Sequence, residues 1–108
     1  MKLKDLARGA RLRRSRHVSF FRKKDELYAY HDLWGYILAM DAKVHEFVEA
    51  FGDGDGRPVA EVARGFRDRF RPEEVEGFVA TFRQHRCLVA PRADELEDAV
   101  EHGYPSKA

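Results

Sequence analysis

The order of hydrophobic and polar positions predicts a run of short strands in the first half of the chain. His17–Lys23 and Glu26–His31 are rich in β-branched and aromatic residues, and only the polar cluster Lys23–Asp25 interrupts them. So short a linker predicts an antiparallel hairpin. A second turn signal follows, and Tyr36–Met40 predicts a third strand. Ala10–Ser15 is a further candidate, as an added edge strand.

The pattern changes to helical spacing after Asp41, which is a good N-cap residue. One helical face is formed by Val44, Phe47, Val48 and Phe51. A glycine-rich loop over residues 52–56 ends this first helix, and Pro58 is predicted to be the first residue of the second. Its apolar stripe consists of Val59, Val62, Ala63, Phe66 and Phe70.

Pro72 is predicted to begin the third helix, which ends near His85–Arg86. Cys87–Ala90 then predicts a short strand or an extended tail. Ala93–His102 predicts a last helix, with the thin apolar face Leu96, Ala99 and Val100. Because so little of this helix is apolar, we expect it to pack weakly on the core or to bind a partner.

A chain of 108 residues with 44% hydrophobic residues can bury one modest core. The predicted fold class is α+β and winged-helix-like, with a three-stranded antiparallel sheet, a three-helix bundle and a C-terminal helix. We divide it into a basic arm (1–16), a central domain (17–90) and an acidic helix and tail (91–108).

Charge is distributed unevenly, although the formal net charge is only +1. Residues 1–24 contain many basic side chains and a single acid, Asp5, whereas residues 94–101 are strongly acidic. A basic end can attract nucleic acid, anionic lipid or an acidic peptide. The alternative is that the two charged ends are solvated or face each other.

No motif in the sequence predicts catalysis, since a P-loop, a dinucleotide glycine fingerprint and a nucleophile elbow are all missing. The glycine-rich loop lacks the acidic ladder of a calcium loop, and the five histidines lack metal-ligand spacing. Cys87, the single cysteine, lies among apolar residues, which favours a small buried side chain over a nucleophile. We expect no enzymatic activity, no cofactor and no metal.

The location follows from similar observations. One cysteine cannot form an intrachain disulfide, and the basic N-terminus lacks the continuous apolar stretch of an export signal. No apolar run approaches the length of a membrane span. We expect a cytoplasmic protein that does not contact the membrane.

Three functions agree with this layout. In a winged-helix DNA-binding regulator the third helix would enter the major groove, but Glu73, Glu74 and Glu76 would repel phosphate there, whereas the arginines of 64–71 would attract it. In a peptide-binding module the uncharged strand Tyr36–Met40 would pair with an extended segment, unless the chain itself covers that edge. The third function is that of a structural subunit in a larger assembly.

The same order of elements resembles the PqqD-like family of precursor-peptide recognition elements over roughly residues 17–90. The matching segments are Tyr36–Asp41, which resembles the family's third strand and helix cap, and Pro58–Val62, which resembles the start of its second helix. Apolar positions that match its third helix and closing segment are Val75, Phe78, Val79, Phe82, Leu88 and Val89. The family usually has a glycine where this chain has Arg86–Cys87.

The resemblance implies that a leader peptide adds a strand beside Tyr36–Met40 and packs against the third helix. Main-chain groups of the strand would bind the peptide, and the implied site comprises Tyr36, Ile37, Leu38, Ala39, Met40, Phe78, Thr81, Phe82 and His85. Val75 and Val79 are expected to face the core. The implied partners are a precursor peptide and a modifying enzyme, often a radical SAM protein, and a homodimer remains open. Nucleic acid is not an expected partner.

Overall fold

The computed structural model describes residues 10–102. They form an α+β fold, as predicted, with two three-stranded antiparallel sheets and four helices. The strands are β1 (Arg11–Arg14), β2 (Val18–Lys23), β3 (Glu26–His31), β4 (Tyr36–Met40), β5 (Arg57–Pro58) and β6 (Leu88–Val89). The helices are α1 (Ala42–Glu49), α2 (Val59–Gly65), α3 (Pro72–Gln84) and α4 (Glu95–Glu101).

The first sheet has the order β2-β3-β4 and matches the predicted strands closely. Lys23 pairs with Glu26 across a two-residue turn, and Lys24 and Asp25 both have positive φ, at 52° and 67°. Positive φ at both central residues defines the turn whose twist suits a tight hairpin. β4 then returns antiparallel to β3, so the three strands follow one another in sequence and in space.

The second sheet was not predicted. Its order is β5-β1-β6, so β1 lies in the middle and the expectation of an edge strand at Ala10–Ser15 is wrong. Arg11 pairs with Pro58 on one side and Arg14 with Leu88 on the other. Gly56 makes the first pairing possible, because a Cβ there would lie 2.7 Å from the Leu12 carbonyl oxygen at a φ of 78°.

The helices begin and end close to their predicted limits, except for α2. Asp41 caps α1 by accepting a hydrogen bond from the Lys43 N–H at 2.7 Å, and Pro72 is the first residue of α3, as predicted. Pro58 is the N-cap of α2 and belongs to β5, so α2 begins at Val59, one residue later than predicted. α2 also ends at Gly65, so the last part of its predicted stripe lies in the following turn.

Phe47 lies at the centre of the hydrophobic core. Its ring contacts those of Phe51, Phe66, Phe70 and Phe78, with centroids 5.4 to 6.1 Å apart. The fully buried valines of α1, α2 and α3 surround this cluster. The helical spacing of the sequence therefore identified the core side of α1 and α3 correctly.

α3 ends in a left-handed residue. Arg86 has a φ of 63°, its N–H donates to the Arg83 carbonyl at 3.1 Å, and the Cys87 N–H donates to the Phe82 carbonyl at 2.8 Å. These two bonds form a Schellman cap, whose left-handed position usually holds glycine. Arg86 therefore occupies a position at which glycine is the favoured residue.

α4 is held differently from the expectation. Of its predicted apolar face only Ala99 is buried, while Leu96 and Val100 are 58% and 65% exposed. Its anchor is polar, because Glu95 is buried and forms an ion pair with Arg13 of β1 at 3.0 Å. Arg13 of the basic segment and Glu95 of the acidic segment therefore face each other, which was one of the alternatives for the charged ends, and residues 1–9 of the predicted basic arm lie outside the described residues.

Candidate functional site

β4 is the last strand of its sheet and pairs only on its β3 side within residues 10–102. Its side chains alternate, as a strand with one core face requires. Tyr36, Leu38 and Met40 are half-buried and face the core, whereas Ile37 and Ala39 are exposed. Ile37 is 61% exposed. The strand has no charge and no proline, so its own sequence does nothing to block pairing with another strand.

The four candidate residues of α3 and its C-cap follow one another at helical spacing but differ in burial. Thr81 is exposed, His85 is half-buried, and the half-buried Phe78 packs against Phe47 and Phe70. Phe82 is 5% exposed and belongs to the core, so its predicted place on the contact surface is wrong. Val75 and Val79 also lie in the core, as expected. The ring of Phe82 therefore stabilises the fold and offers little surface to a ligand.

Tyr36 joins β4 to the end of α3. Its hydroxyl donates to the carbonyl of His85, lies 3.1 Å from the Cys87 Sγ, and its ring meets the His85 ring edge-on at 5.6 Å. Burial raises the pKa of Tyr36 and also that of the Cys87 thiol. Both groups stay protonated near neutral pH, so Cys87 lacks the thiolate that a nucleophile needs.

A recess of about 210 Å³ lies beyond this contact, at the first residue of β4. Trp34 and Arg86 line it, and the guanidinium carbon of Arg86 lies 5.2 Å from the centroid of the Trp34 ring. Arg86 also forms an ion pair with Asp98 of α4 at 2.8 Å. An aromatic ring, an imidazole (His85) and an arginine are thus adjacent to one end of the strand.

The outer face of the first sheet is unusually apolar. Register places Tyr30 beside Ile37, and Tyr28 between Phe21 and Ala39. Phe21 and Tyr30 are exposed, and the rings of Phe21 and Tyr28 stack at 5.5 Å. This patch was not predicted from the sequence, although the alternation within β2 and β3 contains the signal.

A buried polar cluster, also missed, connects both ends of the chain. The Glu95 carboxylate accepts hydrogen bonds from the Ser15 hydroxyl, from Arg13 at 3.0 Å and from the Arg16 N–H at 3.1 Å. Burial alone would raise the pKa of Glu95, but these donors outweigh it and hold the pKa below its ordinary value. The signal in the sequence was the opposite charge of the two ends.

His31 completes this cluster. Its Nε2 lies 3.1 Å from the Arg86 carbonyl and 3.5 Å from the Ser15 Oγ. Burial lowers its pKa, since a charged imidazole is costly inside the fold. Both Ser15 and His31 are completely buried, so this serine–histidine pair has no surface on which to meet a substrate.

Within the described part of the chain, no group of three or more histidine, cysteine, aspartate or glutamate side chains is placed to hold a metal ion. None of the helices in residues 10–102 is long and apolar enough to cross a membrane. Comparison with protein-family models gives no match, and neither does comparison with curated proteins.

Proposed function

We propose that this chain is a non-catalytic peptide-binding module of the PqqD-like type. It captures an extended segment of a precursor peptide as an added strand beside β4 and presents it to a modifying enzyme, such as a radical SAM protein, in the cytoplasm. The proposal assigns β2-β3-β4 with α1, α2 and α3 to the winged-helix-like arrangement of that family. The sheet β5-β1-β6 and α4 are then additions of this chain.

The observation that carries the proposal is the open edge of β4. An edge strand offers unpaired N–H and C=O groups, and a long uncharged edge is the kind that proteins usually protect. Here Tyr36–Met40 has no charged side chain, and Ile37 exposes an apolar side chain beside that edge. Strand addition uses such groups for affinity and the neighbouring side chains for selectivity.

The surroundings of β4 favour a peptide with two different faces. Alternate side chains of an added strand would extend the aromatic patch next to Ile37 and Ala39, and the intervening ones would point towards α3. Cross-strand pairs of this kind contribute about 0.2–1 kcal/mol each. Exposed Thr81 and half-buried Phe78 and His85 remain as α3 contacts, whereas Phe82 is left out of the proposed contact surface because it is buried.

Binding of duplex DNA through α3 is the weaker alternative. Glu73 and Glu74 are exposed in the first turn of α3, where they would face the phosphates of the major groove. If DNA were the ligand, random duplex DNA would bind with a steep dependence on salt concentration. A shallow dependence together with peptide capture would support strand addition.

The experiment uses an mRNA-display library of random peptides as its probe, selected against the full chain. We expect selected peptides to slow hydrogen exchange at amides of β4, because new main-chain bonds protect them. Ile37→Lys should weaken binding about tenfold, since a lysine at an edge opposes strand pairing. Ser19→Lys is the matched control, because Ser19 lies on the same row of the same face but on the opposite edge strand.

Peptides whose binding leaves β4 exchange unchanged, or which bind both variants equally, contradict strand addition. A set of selected peptides without an extended, alternating pattern would do the same. If Ser19→Lys still binds the peptides while Ile37→Lys does not, the loss is a local effect at β4 and not a general loss of the fold.

A further inference from the structure

A groove of about 620 Å³ lies between α2 and α3, apart from the β4 edge. Its apolar lining comes from Ala60 and Ala63 of α2, from Phe70 in the connection, and from Val75 of α3. Such a groove, open to solvent, suits a short amphipathic segment with one or two aliphatic side chains.

Basic side chains surround this groove. Arg64, Arg67 and Arg71 line it, are exposed and form no ion pair with any residue in the range 10–102. Arg69 is already engaged by Glu46 of α1. Two acids, Asp68 and Glu74, also line the groove, and the Glu74 carboxylate accepts the Arg71 N–H at 2.9 Å. Arginines still outnumber acids, so the groove favours an acidic ligand.

The exposed side of α4 has the complementary character. Leu96 and Val100 are one helical turn apart and mostly exposed. Glu97 and Glu101 adjoin them and are exposed too. Glu97 forms no ion pair within the described residues, and Glu101 approaches only its neighbour His102, at 3.8 Å. An apolar pair next to an acidic pair is thus exposed along this short helix.

We propose that α4 of one copy of this chain docks into the α2–α3 groove of a second copy. Leu96 and Val100 would cover the apolar lining, while Glu97 and Glu101 would meet the unpaired arginines. α4 cannot turn to the groove of its own chain without breaking its polar anchor, because Glu95 and Asp98 fix it to β1 and to the end of α3. The inference does not depend on peptide binding at β4.

The size of the contact sets the expected strength. A helix of seven residues is about 10 Å long, so one docked α4 buries far less than the roughly 1,600 Å² of a standard interface. Two reciprocal contacts in a symmetric dimer would double this area. Exposed charge pairs are screened beyond about 10 Å at 0.1 M salt. The association is therefore weak, concentration-dependent and sensitive to salt.

Sedimentation velocity of the full chain tests the association. At low salt the mean mass should rise with protein concentration towards that of a dimer, and at about 0.5 M salt it should return to the monomer value. A mass that stays monomeric up to about 1 mM protein at low salt overturns the proposal, because 1 mM corresponds to only about 4.1 kcal/mol of binding free energy.

Charge reversal identifies the contact. Arg67→Glu places an acid in the groove, and Glu97→Arg places a base on α4, so each variant alone should associate about tenfold more weakly. Mixing the two variants restores opposite charges at both contacts, and the mixed sample should associate as the wild type does. Lys43→Glu and Asp55→Arg are matched controls, because both positions are exposed and outside the groove and α4.

Wild-type association by the two single variants would contradict the assigned contact, and so would a mixture that fails to recover. Loss of the dimer in the Ile37→Lys variant, with Arg67→Glu unaffected, would assign self-association to the β4 edge and overturn the proposal. Retained peptide binding in Arg67→Glu keeps this test separate from that of the proposed function.

Discussion

The buried carboxylate of Glu95 allows a stringent test of what holds the C-terminal helix in place. In Glu95→Gln the side chain keeps its size and one acceptor oxygen but loses its charge. The Arg13 guanidinium, 2% exposed, would remain buried without a counterion. The new amide N–H₂ would also face one of three present donors: Ser15, Arg13 or the Arg16 N–H.

The cost follows from this environment. Removing one partner of a buried ion pair typically costs about 3–5 kcal/mol, because the remaining charge stays desolvated. Arg13 keeps its bonds to the Pro91 and Ala93 carbonyls, both at 3.0 Å, which lessens the loss. We therefore expect Glu95→Gln to lower the free energy of unfolding by about 2–4 kcal/mol. That is a large part of the 5–15 kcal/mol or so that is usual for a domain.

Urea unfolding at neutral pH, followed by the fluorescence of Trp34, measures this change. With an m-value of about 2 kcal/mol/M, the middle of the usual range, the midpoint should fall by about 1–2 M. Glu97→Gln on the exposed side of α4 is the matched control and should change stability by less than about 0.5 kcal/mol.

Replacing both charges separates attraction from desolvation. Arg13→Met combined with Glu95→Leu should cost less than the sum of the two single changes, since neither charge is then left buried alone. A loss below about 1 kcal/mol in Glu95→Gln, or strict additivity in the double variant, would refute the assignment of Glu95 as the anchor of α4.

Two further predictions concern pH and the end of α3. The pKa values of His31 and Glu95 are both lowered in the folded chain, so the unfolded chain binds protons more readily. The free energy of unfolding should therefore fall as the pH drops below about 6.5. In urea titrations His31→Gln should flatten the upper part of that fall, and an unchanged slope would contradict the role of His31. Arg86→Ala and Arg86→Gly both lose the ion pair with Asp98, but only glycine adopts the positive φ without strain. In thermal or urea unfolding the glycine variant should therefore be more stable than the alanine variant by about 1 kcal/mol. Equal stability of the two variants would argue against the left-handed cap.

Much of the candidate site was predictable because it depends on local pattern. The span Tyr36–Met40, its antiparallel partner and the N-cap of α1 at Asp41 all follow from residue type and short linkers, which tertiary packing did not change. The contact role of Phe82 was wrong. It came from the resemblance and not from the spacing, and the ring of Phe82 lies in the core with Val75 and Val79.

The second sheet could not be found in this way. β6 lies within Cys87–Ala90, where a short strand was one predicted alternative, but its partner was not predicted. β5 and β6 each consist of only two residues, and both pair with β1 across long stretches of chain. The cluster of Arg13, Ser15, His31 and Glu95 has the same origin. Its members are ordinary polar residues in sequence and become a buried network only when the two ends of the chain meet.

The sequence by itself determined the α+β order, the limits of the longer strands, the core side of α1 and α3, and an uncharged candidate edge at β4. It did so because side-chain periodicity and capping act over a few residues. Tertiary structure alone decided that β1 is central, that α4 is anchored by Glu95, and that the arginines of the α2–α3 groove face solvent. These features depend on contacts between residues far apart in the chain, and the periodicity of a single segment carries no information about its distant partner.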